Sequence, residues 1–309
     1  MITKGPLLAI AAMAVVTLVV AELIAYRYLK RQGYAFGEAL ASLTLGVASK
    51  MVAIAEAGCI GAVSYLLWSY RIAEVPLDSW WGWLALFLGV EFFYYWYHRA
   101  AHSIRWLWAS HSVHHSPEHL NVLASIRLPL SELLVGRWLF FMPLVLFGFH
   151  PVAVFTMWSV NTIYQIWIHN ELIAKLGPLE YILNTPSNHR VHHALNTEYI
   201  DRNYGGILIV FDRLFGTYVE EHRDTPCRYG LLGQVKSNNA IWIAVQEWMA
   251  MARDLRRSSS LREAVGYLLG KPGWRPKPQQ ETSEERDFEE RLPRGRERAN
   301  AVVATNFGR

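Results

Sequence analysis

Long apolar runs with few charges dominate the first two-thirds of the chain. Runs of this length exceed ordinary strands and predict helices. Three of them, residues 6–26, 51–70 and 80–97, carry one charged residue each. Because a helix needs about 20 apolar residues to cross a bilayer, we predict that each of the three spans a membrane. Two shorter runs, 138–149 and 152–168, meet at a Gly-Phe-His-Pro turn signal and predict a helical hairpin.

The alternative to a membrane protein is a soluble protein with buried helices. Composition argues against it, because 52% of the residues are hydrophobic and only 18% are charged, whereas soluble domains carry roughly 25% charged residues. Tryptophan and tyrosine also concentrate near the ends of the runs, as they do at membrane interfaces. We therefore predict an all-α fold, a polytopic integral membrane helix bundle, whose first run is a retained anchor rather than a removable signal peptide.

Eight of the chain's twelve histidines form three short clusters. The first has the spacing HxxxH and the other two share the spacing HxxHH; the members are His98 and His102, then His111, His114 and His115, then His189, His192 and His193. On a helix, residues three and four apart project from one face, so each cluster aims its imidazoles at one point. Imidazole binds zinc, copper, iron and nickel, and eight nitrogens are too many for one ion. We therefore predict two bound metals.

The other histidines are isolated, and one of them differs from the rest. His169 follows the apolar run 152–168, where an unpaired imidazole would be costly to bury. We predict that it is a ninth ligand. His150 and His222 are predicted to be ordinary core or surface residues, and His119 is predicted to be a loop histidine or a neighbour of the site.

Basic residues predict the orientation of the bundle. Only Lys4 precedes the first run, whereas four basic residues lie between the first and second runs, namely Arg27, Lys30, Arg31 and Lys50. Positive loops stay cytoplasmic, which places the end of the third run, and with it the first cluster, in the cytoplasm. The hairpin leaves that face and returns to it. We therefore predict a multi-pass protein whose histidine-rich di-metal site faces the cytoplasm.

Net charge and cysteine content narrow the range of partners. The net charge of +4 is modest and suits anionic lipid headgroups better than nucleic acid. The two cysteines, Cys59 and Cys227, fall in a predicted span and a predicted cytoplasmic segment, so no disulfide is expected. We expect a membrane lipid as the substrate class and no nucleic-acid partner.

Two histidine-bound metals at the edge of a bilayer allow two kinds of chemistry. Zinc is redox-inert and would limit the site to hydrolysis or Lewis-acid work, whereas iron would allow O2 to attack an unactivated C–H bond of a lipid. The sequence shows no nucleophile elbow, phosphate loop, GxGxxG fingerprint or haem-binding module. An oxidative reaction would therefore draw electrons from a diffusible cofactor or from a separate electron-transfer protein.

The three clusters resemble the histidine boxes of the fatty acid hydroxylase and sterol desaturase superfamily, and we call them the first, second and third box. Flanking motifs are most similar to its alkylglycerol monooxygenase branch. They are residues 91–97 before the first box, 107–110 before the second, 164–169 around the isolated histidine, 176–188 before the third, and 201–206 and 215–217 after it.

The resemblance implies an integral membrane enzyme with two iron ions, held by the eight box histidines and His169. It also implies O2 as co-substrate and tetrahydrobiopterin as the reducing cofactor. In the alkylglycerol monooxygenase branch, the carbon next to a glycerol ether oxygen is hydroxylated and the hemiacetal collapses to a fatty aldehyde and glycerol. We therefore expect a membrane di-iron monooxygenase acting on an ether lipid or a similar glycerolipid.

Three further residues are candidate catalytic groups. Glu91 lies two helical turns before His98 inside a predicted span, and a membrane-buried carboxylate is a functional candidate by default. Either it contacts a pterin or a lipid headgroup, or it makes a buried hydrogen bond to another helix. Asp201 and Asn203 follow the third box, and they either orient ligand imidazoles or cap a turn.

These patterns divide the chain into four parts. We predict an N-terminal membrane anchor of two transmembrane helices over residues 1–79 and a catalytic, fatty acid hydroxylase-type domain over 80–225. Residues 226–270 are predicted to be cytoplasmic or interfacial helices, among them an amphipathic helix over 240–251 that lies on the membrane. Residues 271–309 mix proline, glycine and charges without apolar periodicity, which predicts a disordered tail.

Other functions are compatible with three histidine boxes. A sterol desaturase, or a hydroxylase of an amino-acid-containing membrane lipid, would use the same chemistry with another substrate and electron donor. A zinc membrane hydrolase is the alternative from another enzyme class. A metal-binding or lipid-binding membrane protein without catalytic activity is the alternative outside enzymes.

Overall fold

The structure, a computed structural model, describes residues 4–30, 34–233 and 237–276. Over these ranges the chain is all-α, as predicted. No β-strand occurs in them, and their extended pairing is limited to an isolated antiparallel bridge between Leu183 and Leu208. The predicted disordered tail, residues 271–309, lies outside the described residues beyond position 276.

Eight helices of at least eight residues frame the described chain. They are Lys4–Ala25, Phe36–Ser69, Trp80–Ser103, Arg105–His115, Pro151–Ile168, Pro186–His193, Ala240–Arg256 and Leu261–Leu269. Shorter helical segments connect them, at Tyr26–Lys30, Val122–Ile126, Glu132–Val135, Arg137–Phe141, Met142–Leu146, Gly177–Tyr181 and Val210–Leu214. We call Phe36–Ser69 the long apolar helix, Pro151–Ile168 the linking helix, and Trp80–Ser103, Arg105–His115 and Pro186–His193 the first-, second- and third-box helices.

The long apolar helix begins earlier than predicted. The apolar run 51–70 is its second half, and the helix extends back to Phe36 because residues 36–50 contain no proline that would interrupt it. Among the described residues, it is the one helix that is both long and apolar enough to cross a membrane, judged by length and composition.

The predicted hairpin has one full leg and one short leg. The linking helix has 18 residues and forms the full leg. The run 138–149 instead forms a 3-10 turn followed by the five-residue helix Met142–Leu146. Pro143 has no N–H to donate to the preceding turn, and Gly148, with a φ of +108°, ends the segment. A five-residue helix is about 8 Å long, much shorter than a bilayer core of about 30 Å.

A buried apolar cluster holds the first-box helix against this hairpin. Its members come from the first-box helix, the short leg and the linking helix, and include Leu86, Val90, Phe141, Val145 and Val154. Burial of each such side chain contributes roughly 1.5–3 kcal/mol. Tyr94 extends this packing to the first box, where its ring centroid lies 5.3 Å from that of His98.

A buried arginine attaches the two C-terminal helices to the second-box helix. Arg105 Nε lies 2.9 Å from Glu247 Oε1 and Arg105 Nη1 lies 2.7 Å from Asp254 Oδ2, both on the first of these helices. The backbone N–H of Arg105 donates to the carbonyl oxygen of Gly270, directly after the second. Residues beyond the predicted catalytic domain therefore support the second box.

Candidate metal centre

A tight reversal of the chain brings the first and second boxes face to face. The first-box helix ends at Ser103, Ile104 is extended with φ −119° and ψ 117°, and the second-box helix begins at Arg105. The third-box helix approaches from the other side. Thr185 caps it by accepting the backbone N–H of Asn188 on its hydroxyl oxygen.

The three box helices and the end of the linking helix bring nine imidazoles into two groups. Within each group, one ring nitrogen of every member lies within 4.8 Å of the others. The five-histidine group comprises His98, His102, His111, His115 and His192, and the four-histidine group comprises His114, His169, His189 and His193. His114 is half-buried and the other eight are buried. The structure thus brings together all nine residues that we predict as ligands, although their binding of metal stays a prediction.

The spacing of the ring nitrogens suits a metal ion in each group. In the five-histidine group, His111 Nε2 lies 3.0 Å from His98 Nε2 and 3.1 Å from His115 Nε2. In the four-histidine group, His169 Nε2 lies 3.2 Å from His114 Nε2 and 3.0 Å from His189 Nε2. Two imidazoles bound about 2.1 Å from one ion, at right angles, have nitrogens about 3.0 Å apart.

Hydrogen bonds on the far side of three rings leave their Nε2 lone pairs free. His98 Nδ1 donates to the Tyr204 carbonyl oxygen at 2.8 Å and His192 Nδ1 to that of Arg202 at 3.0 Å. His169 Nδ1 donates to the carbonyl oxygen of Gln165 at 2.6 Å. A carbonyl only accepts, so the proton is on Nδ1, and Nε2 is free to bind a metal.

Two ring nitrogens of the five-histidine group have no partner among the residues that the structure describes. The buried Nε2 atoms of His102 and His192 have no hydrogen-bond partner among the described residues. A buried polar atom without a partner is costly, and lone pairs that converge repel one another. A cation in each group would remove both costs, so the residues present fit two metal ions.

Burial keeps most of these imidazoles neutral at physiological pH. Burial lowers the pKa of His169 to about 4. For six others, burial first and neighbouring imidazoles second hold the pKa well below 6.5, namely for His111, His114, His115, His189, His192 and His193. Neutral imidazole is the form that binds metals.

Glu91 is buried and hydrogen-bonded on both carboxylate oxygens. Oε1 accepts from Asn161 Nδ2 at 2.6 Å, and Oε2 accepts from the backbone N–H groups of Ile207 at 2.8 Å and Leu208 at 2.9 Å. These contacts favour the alternative of a buried hydrogen bond to another helix. Contact with a pterin or a lipid headgroup stays a prediction.

Glu91 begins a polar network that sequence reasoning did not assemble. Gln165 Nε2 donates to Asn161 Oδ1 at 2.7 Å, and the Tyr94 hydroxyl donates to Gln165 Oε1 at 2.8 Å. The network ends beside both groups, because Tyr94 packs on His98 and the Gln165 carbonyl holds His169. A signal for it was present: Asn161 and Gln165 are polar residues four apart, on one face of an apolar helix.

Asp201 and Asn203 occupy different positions beside the centre. Both have left-handed backbone conformations, with φ of 59° and 56°. Asp201 Oδ1 lies 3.4 Å from His102 Nδ1, in position to orient that ring. The buried Asn203 side chain donates to the carbonyl oxygens of Asn188 and Val219 and accepts the Val219 N–H. Asn203 therefore acts on the backbone of the third-box helix.

The three remaining histidines contribute no ring nitrogen to either group in the described part of the chain. His119 Nδ1 lies 2.9 Å from Glu38 Oε1, with a side chain that is 55% exposed. His150 Nδ1 accepts the backbone N–H of Val152 and caps the linking helix. His222 is exposed. These positions match the loop, capping and surface roles of ordinary histidines.

Comparison with known proteins shows which proteins this chain is similar to. Residues 83–217 match the family model described as fatty acid hydroxylase. The chain is 38% identical over 248 residues to alkylglycerol monooxygenase of Xenopus tropicalis and 38% identical over 252 residues to that of Homo sapiens, each time over 80% of this chain and 55% of the relative. It is 34% identical over 147 residues to ornithine lipid hydroxylase OlsE of Rhizobium tropici, over 47% of this chain and 44% of the relative.

The chain spans about half the length of the alkylglycerol monooxygenases that it matches. No solved structure matches it.

Proposed function

Because residues 83–217 match the fatty acid hydroxylase family model, we propose that this chain is a member of that family and a membrane di-iron monooxygenase that hydroxylates an ether lipid with O2. The observation that carries the proposal is the pair of buried imidazole groups, which together hold nine histidines. Similarity to alkylglycerol monooxygenases over 80% of the chain supports the ether lipid as substrate.

The two groups would each hold one iron ion, through the ring nitrogens of the five and the four histidines. Iron bound there would supply the redox chemistry with O2 that zinc lacks. The protein's part is to keep the imidazoles neutral and to fix their directions. The aromatic rings of Tyr204 and Trp108 also pack beside the five-histidine group, with centroids 5.3 Å and 5.1 Å from that of His102.

An ether lipid suits hydroxylation at a fixed carbon. The ether oxygen makes the neighbouring C–H bond easier to oxidise. One oxygen atom of O2 enters that bond as a hydroxyl group, and the other leaves as water with two electrons and two protons from the reductant. The hemiacetal then releases a fatty aldehyde and a glycerol hydroxyl without a further catalytic group. We propose tetrahydrobiopterin as the two-electron donor.

The proposal includes a multi-pass membrane protein with its centre on the cytoplasmic side. The long apolar helix supports the membrane part of this proposal, because only 6% of its most apolar window is buried within the protein. Met51 and Ile54 on this helix are 68% and 77% exposed. Apolar surface of this extent is normally covered by lipid or by a partner.

Cysteine labelling would test the orientation. In a Cys59→Ser, Cys227→Ser background, we would place single cysteines at Asp224 and Ile72. Asp224 is exposed in the segment that follows the third box, and Ile72 is 79% exposed beside the turn after the short leg, where its N–H donates to Leu146. An impermeant maleimide added to intact cells should label Ile72→Cys and not Asp224→Cys. The reverse pattern would invert the orientation.

The proposed activity has a direct assay. Purified protein loaded anaerobically with Fe(II) should release a fatty aldehyde from an alkylglycerol when O2 and tetrahydrobiopterin are added. His192→Ala and His114→Ala, one from each group, should abolish turnover, because each leaves one ion incompletely ligated. His119→Ala, an exposed histidine outside both groups, should retain full activity.

A second candidate activity rests on the ornithine lipid hydroxylase similarity. In the assay above, iron-loaded protein would then leave ether lipids intact and instead oxidise an amino-acid-containing lipid with a ferredoxin or haem electron donor. That result would favour a hydroxylase of such lipids or a sterol desaturase. A zinc membrane hydrolase would instead bind zinc in the cell and act without O2. Metal analysis of protein purified anaerobically separates these outcomes.

A further inference from the structure

One short segment, residues 201–206, contacts the five-histidine group from behind. We call it the 201–206 turn. The carbonyl oxygens of Tyr204 and Arg202 accept the Nδ1 protons of His98 and His192 at 2.8 Å and 3.0 Å. The carboxylate of Asp201 lies 3.4 Å from Nδ1 of His102. Three of the five members of this group are therefore oriented by residues of one turn, namely Asp201, Arg202 and Tyr204.

The four-histidine group is oriented mainly by other elements. His169 Nδ1 donates to Gln165 on its own helix. His189 Nδ1 lies 3.5 Å from Asn184 Nδ2, at the limit of a hydrogen bond. The 201–206 turn reaches this group only indirectly, because Asn184 Nδ2 donates to the carbonyl oxygen of Gly205 at 2.6 Å.

A single buried carboxylate holds the 201–206 turn. Asp212 is fully buried, its Oδ1 accepts the backbone N–H of Tyr204 at 2.7 Å, and its Oδ2 accepts that of Gly205 at 2.7 Å. Two successive N–H groups on one carboxylate fix the peptide between them, and this peptide carries the Tyr204 carbonyl oxygen. A Cβ at Gly205 would lie 2.3 Å from the Leu208 carbonyl oxygen and 3.1 Å from Asp212 Oδ2, so only glycine fits at this position of the turn.

The carboxylate is itself held in place. The Thr217 hydroxyl donates to Asp212 Oδ1 at 2.6 Å and lies 3.0 Å from the Tyr95 hydroxyl on the first-box helix. Asn203 fixes the opposite side of the turn to the third-box helix. The turn is therefore fastened to both helices whose histidines it contacts.

We infer that Asp212 is a positioning residue that sets the metal affinity of the five-histidine group and leaves that of the four-histidine group largely unchanged. The inference rests on the proposed metal centre. It assigns a role to a residue that contacts no ligand imidazole directly and acts through the backbone. Groups that orient metal-binding histidines typically change metal affinity about 10–100-fold when removed.

Asp212→Asn tests the inference, because the amide keeps the size of the side chain and offers one acceptor oxygen where the carboxylate offers two. Anaerobic titration with Co(II) in detergent, followed by its visible absorption, reports each binding event without turnover. Wild type should bind two ions. The variant should bind one as tightly as wild type and the other about 10–100-fold more weakly. Asp224→Asn, an exposed aspartate nearby in sequence, should match wild type.

Double variants identify which group is affected. Asp212→Asn combined with His192→Ala should retain one tight site, because both changes act on the same group. Asp212→Asn combined with His114→Ala should retain none. If Asp212→Asn does not fold, Thr217→Val removes only the hydroxyl that steadies the carboxylate and should weaken the same single site.

The outcomes separate this inference from the function on which it rests. Equal weakening of both sites, or two unchanged sites, would overturn the role of Asp212 and leave the metal centre intact. Wild type that binds no ion would overturn both.

Discussion

Among single residues, Glu91 combines a central position with a complete set of partners. Its carboxylate is 1% exposed and joins the first-box helix to the linking helix and to the backbone at Ile207 and Leu208. A carboxyl group in such a place is costly to bury without hydrogen-bond partners. The cost is offset here by three hydrogen bonds, so the residue fastens three segments around the centre.

Glu91→Gln tests whether this residue also serves a ligand. The amide cannot accept on both sides, so we expect the free energy of unfolding to fall by about 1–3 kcal/mol, measured by thermal unfolding. Both metals should stay bound, because Glu91 contacts no imidazole in the described structure. If it contacts the pterin or the headgroup, the KM for that ligand should rise about tenfold or more.

Asp78→Asn, an exposed acid just before the same helix, is the matched control and should change neither stability nor KM. An unchanged KM in Glu91→Gln, with lower stability alone, would show a purely structural role.

The residue scale also shows what a sequence can predict about a site. Spacing alone identified the eight box histidines as convergent, since helix geometry fixes which side chains share a face. It could not show that five of them form one group and that the other three form a second group with His169. His114 and His115 are neighbours yet belong to different groups, because their assignment depends on where other helices lie. Asp212 has no spacing signal, and only its burial and contacts reveal it.

At the scale of elements, the attachment of the C-terminal helices depends on Arg105. Its side chain is 4% exposed and pairs with Glu247 and Asp254, which are 24% and 15% exposed. Breaking a buried pair by removing one partner leaves charges uncompensated. The second-box helix would then lose its support on that side.

Arg105→Gln should therefore lower the free energy of unfolding by about 3 kcal/mol, measured by thermal or denaturant unfolding. Limited proteolysis should cut the C-terminal helices sooner. Arg253 is an exposed arginine on Ala240–Arg256, the helix that Arg105 contacts. Arg253→Gln should behave as wild type. Equal stability of the two variants would argue against a supporting role.

Apolar runs predict the positions of some helices correctly and of others incorrectly. The first-box helix and the linking helix lie where their apolar runs predict. The long apolar helix begins 15 residues earlier than its run, because helix continues through mixed sequence when nothing interrupts it. The run 138–149 contains Pro143 and does not form one long helix, which hydropathy alone does not register.

For the whole molecule, the buried histidines make stability depend on pH. Burial holds the folded pKa of most of them below 6.5, with that of His169 at about 4. Below about pH 6.5 the histidines of the unfolded chain bind protons, whereas these histidines stay neutral in the folded chain. Their contribution is therefore fully present above that pH and is lost as pH falls. Asp212 acts in the opposite direction, because burial raises its pKa to about 6, but the histidines outnumber such buried acids.

Metal-free protein should accordingly have a Tm that is nearly constant above about pH 7 and falls steeply below about pH 6, measured in a series of buffers. Metal-loaded protein should show the same fall at lower pH, because bound metal competes with protons for the same nitrogens. A Tm that rises on acidification would contradict the neutral state of the imidazoles.

Burial of the imidazoles would also control how quickly bound metal ions exchange with the surroundings. Eight of the nine are buried, and they come from residues 98–193. A chelator would reach the ions only when a box helix opens locally, so the rate of metal loss would level off as chelator concentration rises. The affinity for metal would set the final occupancy of the two groups, whereas the rate of local helix opening would set the lifetime of the bound ions. The cell would therefore load the ions as the chain folds, since the finished protein is a slow acceptor.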